Sequence, residues 1–498
     1  MPLKERIKKP EYTALFVTFF AGIAVHLFTL TNVIHNYDDI SAAPIGFGTG
    51  ITSGRWLLEI LNRFLTKIGG AYNLTYLNGL CFIILIALAT FFLVSVLEFK
   101  SRLLASLTGI SFIVFPTAVS ILFFRFTSHI YGMAILFSVL AVYVLGKFRF
   151  SFLLSAAFMA LSLAIYQGFF PISVSLFVLL LIRKILEEDA RNGKTYFIKG
   201  LCYCGVVILG LLIYIATLKL FLNVYDCELS GYQGIGDTSS YTLSNIPMLL
   251  FQALKSFLLM PIRDYGSVAN ITSLRIAYCI LELLTVALGL ICCLRKKPSL
   301  SKLLVLLLCC TAFPFAVNLI ALMAPQAEIY TLVVYSFVSL LWLPLILMDV
   351  LSKEGAVAIK TVRIAAVVLV SFIILSYSYN ANVNYRLMYY ASRQTENYMS
   401  SMVAQIRMSE GFTSDKPWVF IGELNDPLLE KRWELLARYG GNVTAEYLLS
   451  CYSANDWIRI YYGYSPPPGH RRRSGGNKSH KRICRNALLA IAGFNKDN

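Results

Sequence analysis

From Tyr12 onward the chain returns repeatedly to uninterrupted apolar stretches of about 20 residues, the length a helix needs to cross the hydrocarbon of a bilayer. That single feature excludes most architectures. Backbone polar groups in hydrocarbon must be satisfied within the segment, so such stretches can only be packed membrane helices. Composition agrees: of 498 residues, 57% are hydrophobic and 14% charged, far from the quarter charged usual in soluble domains. The reading predicts a mainly α, polytopic membrane protein with about eleven transmembrane helices. They are placed near 12–34, 72–97, 103–124, 128–146, 150–167, 168–186, 197–221, 271–294, 303–323, 328–348 and 361–380. The first run is too long for a signal-peptide core and lacks a small-residue cleavage site, so it is expected to remain as an anchor.

The net charge of +17 invites a nucleic-acid reading, but the basic residues gather at span ends. Lys4 to Lys9, Lys100 with Arg102, Lys147 with Arg149, Arg183 with Lys184 and Lys194, Arg295 to Lys297 with Lys302, and Lys353 with Lys360 and Arg363 fall between alternate pairs of spans. The positive-inside rule then places the N-terminus in the cytoplasm and the C-terminal region outside, with no nucleic-acid partner. Eight of the eleven cysteines lie in apolar runs, where they act as small hydrophobes, and no spacing suggests zinc.

Residues 1–380 form the predicted membrane domain, with external loops at 35–71 and 223–270. Each loop holds an amphipathic stretch, one from Arg55 to Leu65 and one from Ile246 to Leu259, expected to lie along the membrane surface. Residues 381–464 read as a small external α/β domain, with a helix over 386–409 and a strand over 417–423. The Pro466-Pro-Pro-Gly break opens a basic low-complexity tail, 465–498, whose composition is what a shifted reading frame at the end of a longer domain would produce.

Soluble enzyme signatures are missing, so ionisable residues at the outer ends of spans carry the chemistry, because they are costly there unless used. Asp38 and Asp39, just past the first span, can supply a general base and a second group that positions a hydroxyl or a divalent cation. The bland alternative is that one of them caps a following helix. Arg55 can bind phosphate and Trp56 can stack on a sugar, or both can be interfacial anchors. Arg125 is expensive without an anion and is expected at a lipid phosphate or snorkelling at the interface. Tyr166 and Gln167 occupy another outer turn. Arg263 with Asp264, and Glu328, are secondary candidates for the acceptor, Arg263 and Asp264 reading more readily as a local ion pair.

Three motifs in this order, Tyr37-Asp-Asp-Ile, Ser53-Gly-Arg-Trp-Leu-Leu and Ala164-Ile-Tyr-Gln-Gly, resemble the Gtr type II bacterial glucosyltransferase family over roughly residues 10–460. The arrangement also looks like the wider GT-C architecture, where an acidic residue in the first external loop is catalytic. The resemblance implies an enzyme of the bacterial inner membrane with a periplasmic C-terminal domain. It implies transfer of glucose or another hexose from a polyprenyl-phosphate donor to a surface polysaccharide such as O-antigen, or to a glycolipid. A separate synthase and flippase would supply the donor. Asp38 or Asp39 would act as base in an inverting displacement, the donor's phosphate lying near Arg55 and Arg125. No cofactor is required, although the adjacent carboxylates leave room for Mg or Mn. The competing readings are a polysaccharide polymerase or ligase, and a lipid-linked sugar flippase or transporter. A transporter would place polar residues along mid-span, whereas here they concentrate at the rim.

Overall fold

The structure is a computed structural model. It describes residues 9–34, 36–42, 50–68, 74–188, 192–230, 244–263, 265–327, 329–413 and 453–463. Among these, nine helices are long and apolar enough to cross a membrane, and Ser151–Ile165 and Tyr335–Val350 are shorter apolar segments. Every predicted span falls on one of them. Leu283, Leu290 and Leu294 on one helix, and Ile208 and Leu212 on another, are more than half exposed. A helix that presents rows of leucine and isoleucine outward needs lipid as its solvent, and the protein is a membrane protein.

In chain order the helices are α1 (Pro10–Thr31), α2 (Tyr37–Ala42), α3 (Trp56–Ile68), α4 (Thr75–Val96), α5 (Arg102–Val114), α6 (Pro116–Phe123), α7 (Arg125–Val144), α8 (Ser151–Ile165) and α9 (Phe170–Glu187). They continue as α10 (Gly193–Val224), α11 (Ile246–Leu258), α12 (Thr272–Lys296), α13 (Leu300–Val317), α14 (Leu319–Met323), α15 (Ser339–Val350), α16 (Val357–Met408) and α17 (Ala454–Tyr462). Helix α1 packs on α4 and α5, α4 on α7, α7 on α8, and α8 on α10; α9 and α13 form the other wall, closed by α12, α15 and α16. The buried centre is Phe112, Phe115, Tyr335 and Trp342, with Trp342 Nε1 donating to Ser111 Oγ and Tyr335 Oη to Phe112 O.

The breaks in the helices follow local chemistry. Pro116 disfavours helical backbone at Phe115 (ψ 144°) and splits the third span into α5 and α6. Tyr166, extended at φ −159°, separates α8 from α9, resolving the two nearly fused predicted spans. The predicted span at 303–323 ends early, because Pro314 weakens the last turns of α13 and Asn318 interrupts the helix before α14. The predicted span at 361–380 and the helix at 386–409 are one element, the 52-residue α16, whose sequence holds neither Gly nor Pro to stop it. Both amphipathic stretches are helices, α3 and α11. No strand occurs among the described residues; the one expected at 417–423 and the tail 465–498 lie outside them.

Candidate active site

The helix ends form two rims. One rim carries the Asp38–Asp39 turn. Asn36 caps α2: its Oδ1 accepts the Asp38 N–H at 3.0 Å, and its own N–H donates to Asp39 Oδ2 at 3.3 Å. This reciprocal capping box satisfies donors that a short helix otherwise leaves bare. Asp39 accepts a second N–H at Oδ1, from Phe126 in the first turn of α7, at 3.1 Å. Asp39 is therefore 0% exposed and binds two helix starts together, where the helix dipole favours a negative charge. Burial nevertheless pushes its carboxyl up to about 7, against the lowering pull of those N–H bonds and of Arg125; the neighbouring Asp38 charge adds to the rise. Asp38 is partly exposed.

Arg125 is 2% exposed. Its guanidinium donates to Asn32 O at 2.9 Å, to Leu122 O at 3.3 Å and to Thr29 Oγ1, so it caps the ends of α1 and α6. Asn78 Nδ2 donates to the Arg125 carbonyl at 3.1 Å and draws in α4. The described hydrogen-bond partners of the Arg125 guanidinium are thus two backbone carbonyls and one hydroxyl.

The second and third motifs meet face to face. Gln167 Nε2 donates to Ser53 O and to Tyr214 Oη, both at 3.0 Å, and Tyr214 Oη donates to Gly54 O at 2.9 Å. Gly54 has φ +74°, and a Cβ there would lie 2.6 Å from Tyr214 Oη and 2.7 Å from Gln167 Nε2, so only glycine fits. The clamp sets Arg55 with its guanidinium carbon 4.6 Å from the centre of the Tyr166 ring, a cation–π arrangement. Tyr166 and Tyr330 share a hydroxyl hydrogen bond at 2.9 Å. Trp56 stacks on Phe221 at 4.7 Å, which commits one face of the indole to the anchoring of α3 on α10.

Helix α7 joins the two halves. It receives Asp39 at Phe126, and five residues on, about 7.5 Å along the axis, Tyr131 packs against Tyr166 at 4.9 Å. Arg263 is exposed on the turn after α11 and no contact ties it to either half among the described residues; Asp264 and Glu328 lie outside them. Among the described residues, no group of three His, Cys, Asp or Glu side chains gathers as a metal site. Residues that sequence reasoning missed are Asn36, Tyr131, Tyr214 and Tyr330. Asn36 and Asp39 carry the spacing of a capping box, and Tyr330 follows the candidate Glu328 by two residues; nothing in an apolar run marks Tyr214 or Tyr131.

Asp39, the two helix starts it binds and the aromatic-held Arg55 thus lie at one end of a bundle of membrane-crossing helices. The sequence profile of the family described as Glucosyl transferase GtrII matches residues 27–341, well over half the chain. The chain belongs to this family and is a glycosyltransferase. The matched stretch contains all three motifs and ends within α15, before α16 and α17. Comparisons with curated proteins and with solved structures give no match.

Proposed function

We propose that this rim faces the outside of the bacterial inner membrane and transfers glucose from a polyprenyl-phosphate donor to a surface polysaccharide. The orientation follows the charges. Lys100, Arg183, Arg295 and Lys353 all sit at the opposite ends of the helices, which the positive-inside rule assigns to the cytoplasm. Many spans with an acidic turn after the first resemble the GT-C arrangement. The polyprenyl chain would lie along the apolar helices and its phosphate at the Arg55 edge.

The observation that carries the reading is the unequal treatment of the two carboxylates. Asp39 is buried, and both of its oxygens accept backbone N–H groups; Asp38, next to it, is partly exposed at the rim. Asp39 thus fixes the turn and Asp38 is the base. In the reaction an acceptor hydroxyl passes its proton to Asp38 as its oxygen bonds to the anomeric carbon. The bond from that carbon to the phosphate oxygen breaks and its electron pair leaves with the polyprenyl phosphate, whose charge Arg55 stabilises. A single displacement inverts the anomeric centre. Gln167 and Tyr214 hold Arg55 in place, and Trp56, stacked on Phe221, anchors α3 beside it.

The test is transfer of label from radiolabelled undecaprenyl phosphate glucose to a cell-envelope acceptor fraction in membranes that contain the protein. Asp38→Asn is expected to lower transfer by about a hundredfold or more, in the range of general-base contributions. Asp39→Asn is expected to lower both transfer and thermal stability. Wild-type transfer by Asp38→Asn would remove the mechanism.

A further inference from the structure

Helix α2 has six residues and cannot hold itself in place. The capping box and the Phe126 bond tie one side of it. The other side is held by Ile40, the residue after Asp39, which is 1% exposed. Ile40 is buried in an apolar cluster separate from the main core, made with Met399 and Val403 of α16 and Ala454, Trp457 and Ile458 of α17. All five partners come from beyond residue 341, outside the stretch that matches the family.

The cluster has a firm base. Below it, α16 is fastened to α1. His26 Nε2 lies 3.0 Å from Ile113 O, which can only accept, so Nε2 carries the proton and Nδ1 accepts from Tyr385 Oη at 2.8 Å. Asn382 Nδ2 donates to Val25 O at 3.2 Å, and Tyr389 packs edge-on against Phe28. The upper part of α16 therefore rises from the same helix whose end leads into the Asp38–Asp39 turn. Trp457 of α17, 2% exposed, shares the cluster with Met399 and Val403 of α16, and within α17 it stacks on Tyr461 at 4.6 Å.

We propose that α16 and α17 are a latch on Ile40 that holds Asp38 in register with the reacting hydroxyl, which makes Ile40 and Trp457 positioning residues of the glucosyl transfer. The proposal rests on the assignment of Asp38 as base. Its physical reason is geometric: a base displaced by about 1 Å can cost on the order of a hundredfold in rate. With the turn pinned on one side only, α2 would pivot about the Phe126 bond, and Asp38, one residue from that pivot, would move with it.

The experiment uses the full chain in membranes, with initial rates measured against undecaprenyl phosphate glucose for Trp457→Ala, Trp457→Phe, Asp38→Asn and the double variant Asp38→Asn/Trp457→Ala. Protein amount and monodispersity in detergent are matched first. Trp457→Ala is expected to lower kcat by about tenfold or more with donor KM within about twofold, and Trp457→Phe, which keeps the apolar contact, to recover most of the loss. The double variant is expected to be no slower than Asp38→Asn alone, because Trp457 acts through Asp38. A normal kcat for Trp457→Ala, a raised KM at unchanged kcat, or losses that multiply in the double variant would each overturn the latch. If Trp457→Ala does not accumulate, Ile40→Val, which trims one methylene from the same cluster, carries the same test with the same outcomes. Should Asp38→Asn itself transfer at the wild-type rate, the base assignment fails and not the latch alone. An inactive Asp38→Asn beside a fully active Trp457→Ala sinks the latch and leaves the assignment standing.

Discussion

Each rim of the molecule buries a carboxylate completely, and the two are treated differently. On the rim opposite the proposed site, Asp349 accepts N–H bonds from Lys100 at 3.0 Å and Ser101 at 2.9 Å, and pairs with Arg183 Nη2 at 2.7 Å. Arg183 also pairs with Glu187 at 3.1 Å, and Glu187 with Lys100 Nζ at 2.8 Å, so two cations and two anions close on one another. On the Asp39 rim the carboxylate likewise binds backbone N–H groups, but the nearby cation, Arg125, directs its guanidinium at carbonyls and a hydroxyl. A closed network neutralises charge and fixes helix ends. An incompletely compensated one leaves a field at the rim, with a second carboxylate beside it, and that is where chemistry can be done.

The comparison breaks first at the closed network. Arg183→Met would leave Asp349 buried without its ion pair, and removal of one partner from such a pair costs about 3–5 kcal/mol. The expected result is a large fall in thermal stability in detergent, with transfer per folded molecule little changed. The double variant Arg183→Met/Asp349→Leu should recover part of the loss, since neither charge is then stranded. A double variant no better than the single would mean the network's value lies in the backbone N–H bonds of Asp349.

At the other rim the sharpest change is smaller. Gly54→Ala forces a non-glycine residue to φ +74° and drives its Cβ against Tyr214 and Gln167. The left-handed conformation alone costs about 1–2 kcal/mol. The clamp should open and Arg55 should shift from Tyr166, with transfer down about tenfold and the donor KM raised if Arg55 meets the phosphate. An unchanged donor KM would detach Arg55 from the donor.

The fold was legible because lipid imposes length: runs of about 20 apolar residues admit one structure. Motif spacing likewise exposed Asp38, Arg55 and Gln167, since polar residues at span ends stand out. What stayed hidden depends on pairings across the chain. Arg125 answers to carbonyls at two helix ends, and no side-chain pattern records a carbonyl. Asp349 reads as one more charge near Lys353 until Arg183 is brought to it from another helix. Ile40 is one isoleucine among many until Trp457 covers it. The continuity of α16 was obscured because its polar upper half, from Arg386, reads as the start of a separate domain.

The finest test of the difference between the rims is pH. The Asp39 carboxyl, pushed up to about 7 by burial, binds its proton more tightly folded than unfolded, where the ordinary value is 3.8. The sign follows: its contribution to stability is fully present below about pH 4 and is lost as pH rises through about 7. Asp38 and Arg125 are the charged groups acting on it. Thermal stability of the wild type, taken relative to Asp39→Asn at each pH, should therefore fall as pH rises from about 4 to about 7. Asparagine cannot titrate, so it removes this slope while every other titrating group is shared by the two proteins. A difference that stays flat across the range would mean that Asp39 keeps its charge throughout, and the contrast between the rims would reduce to the exposure of Asp38.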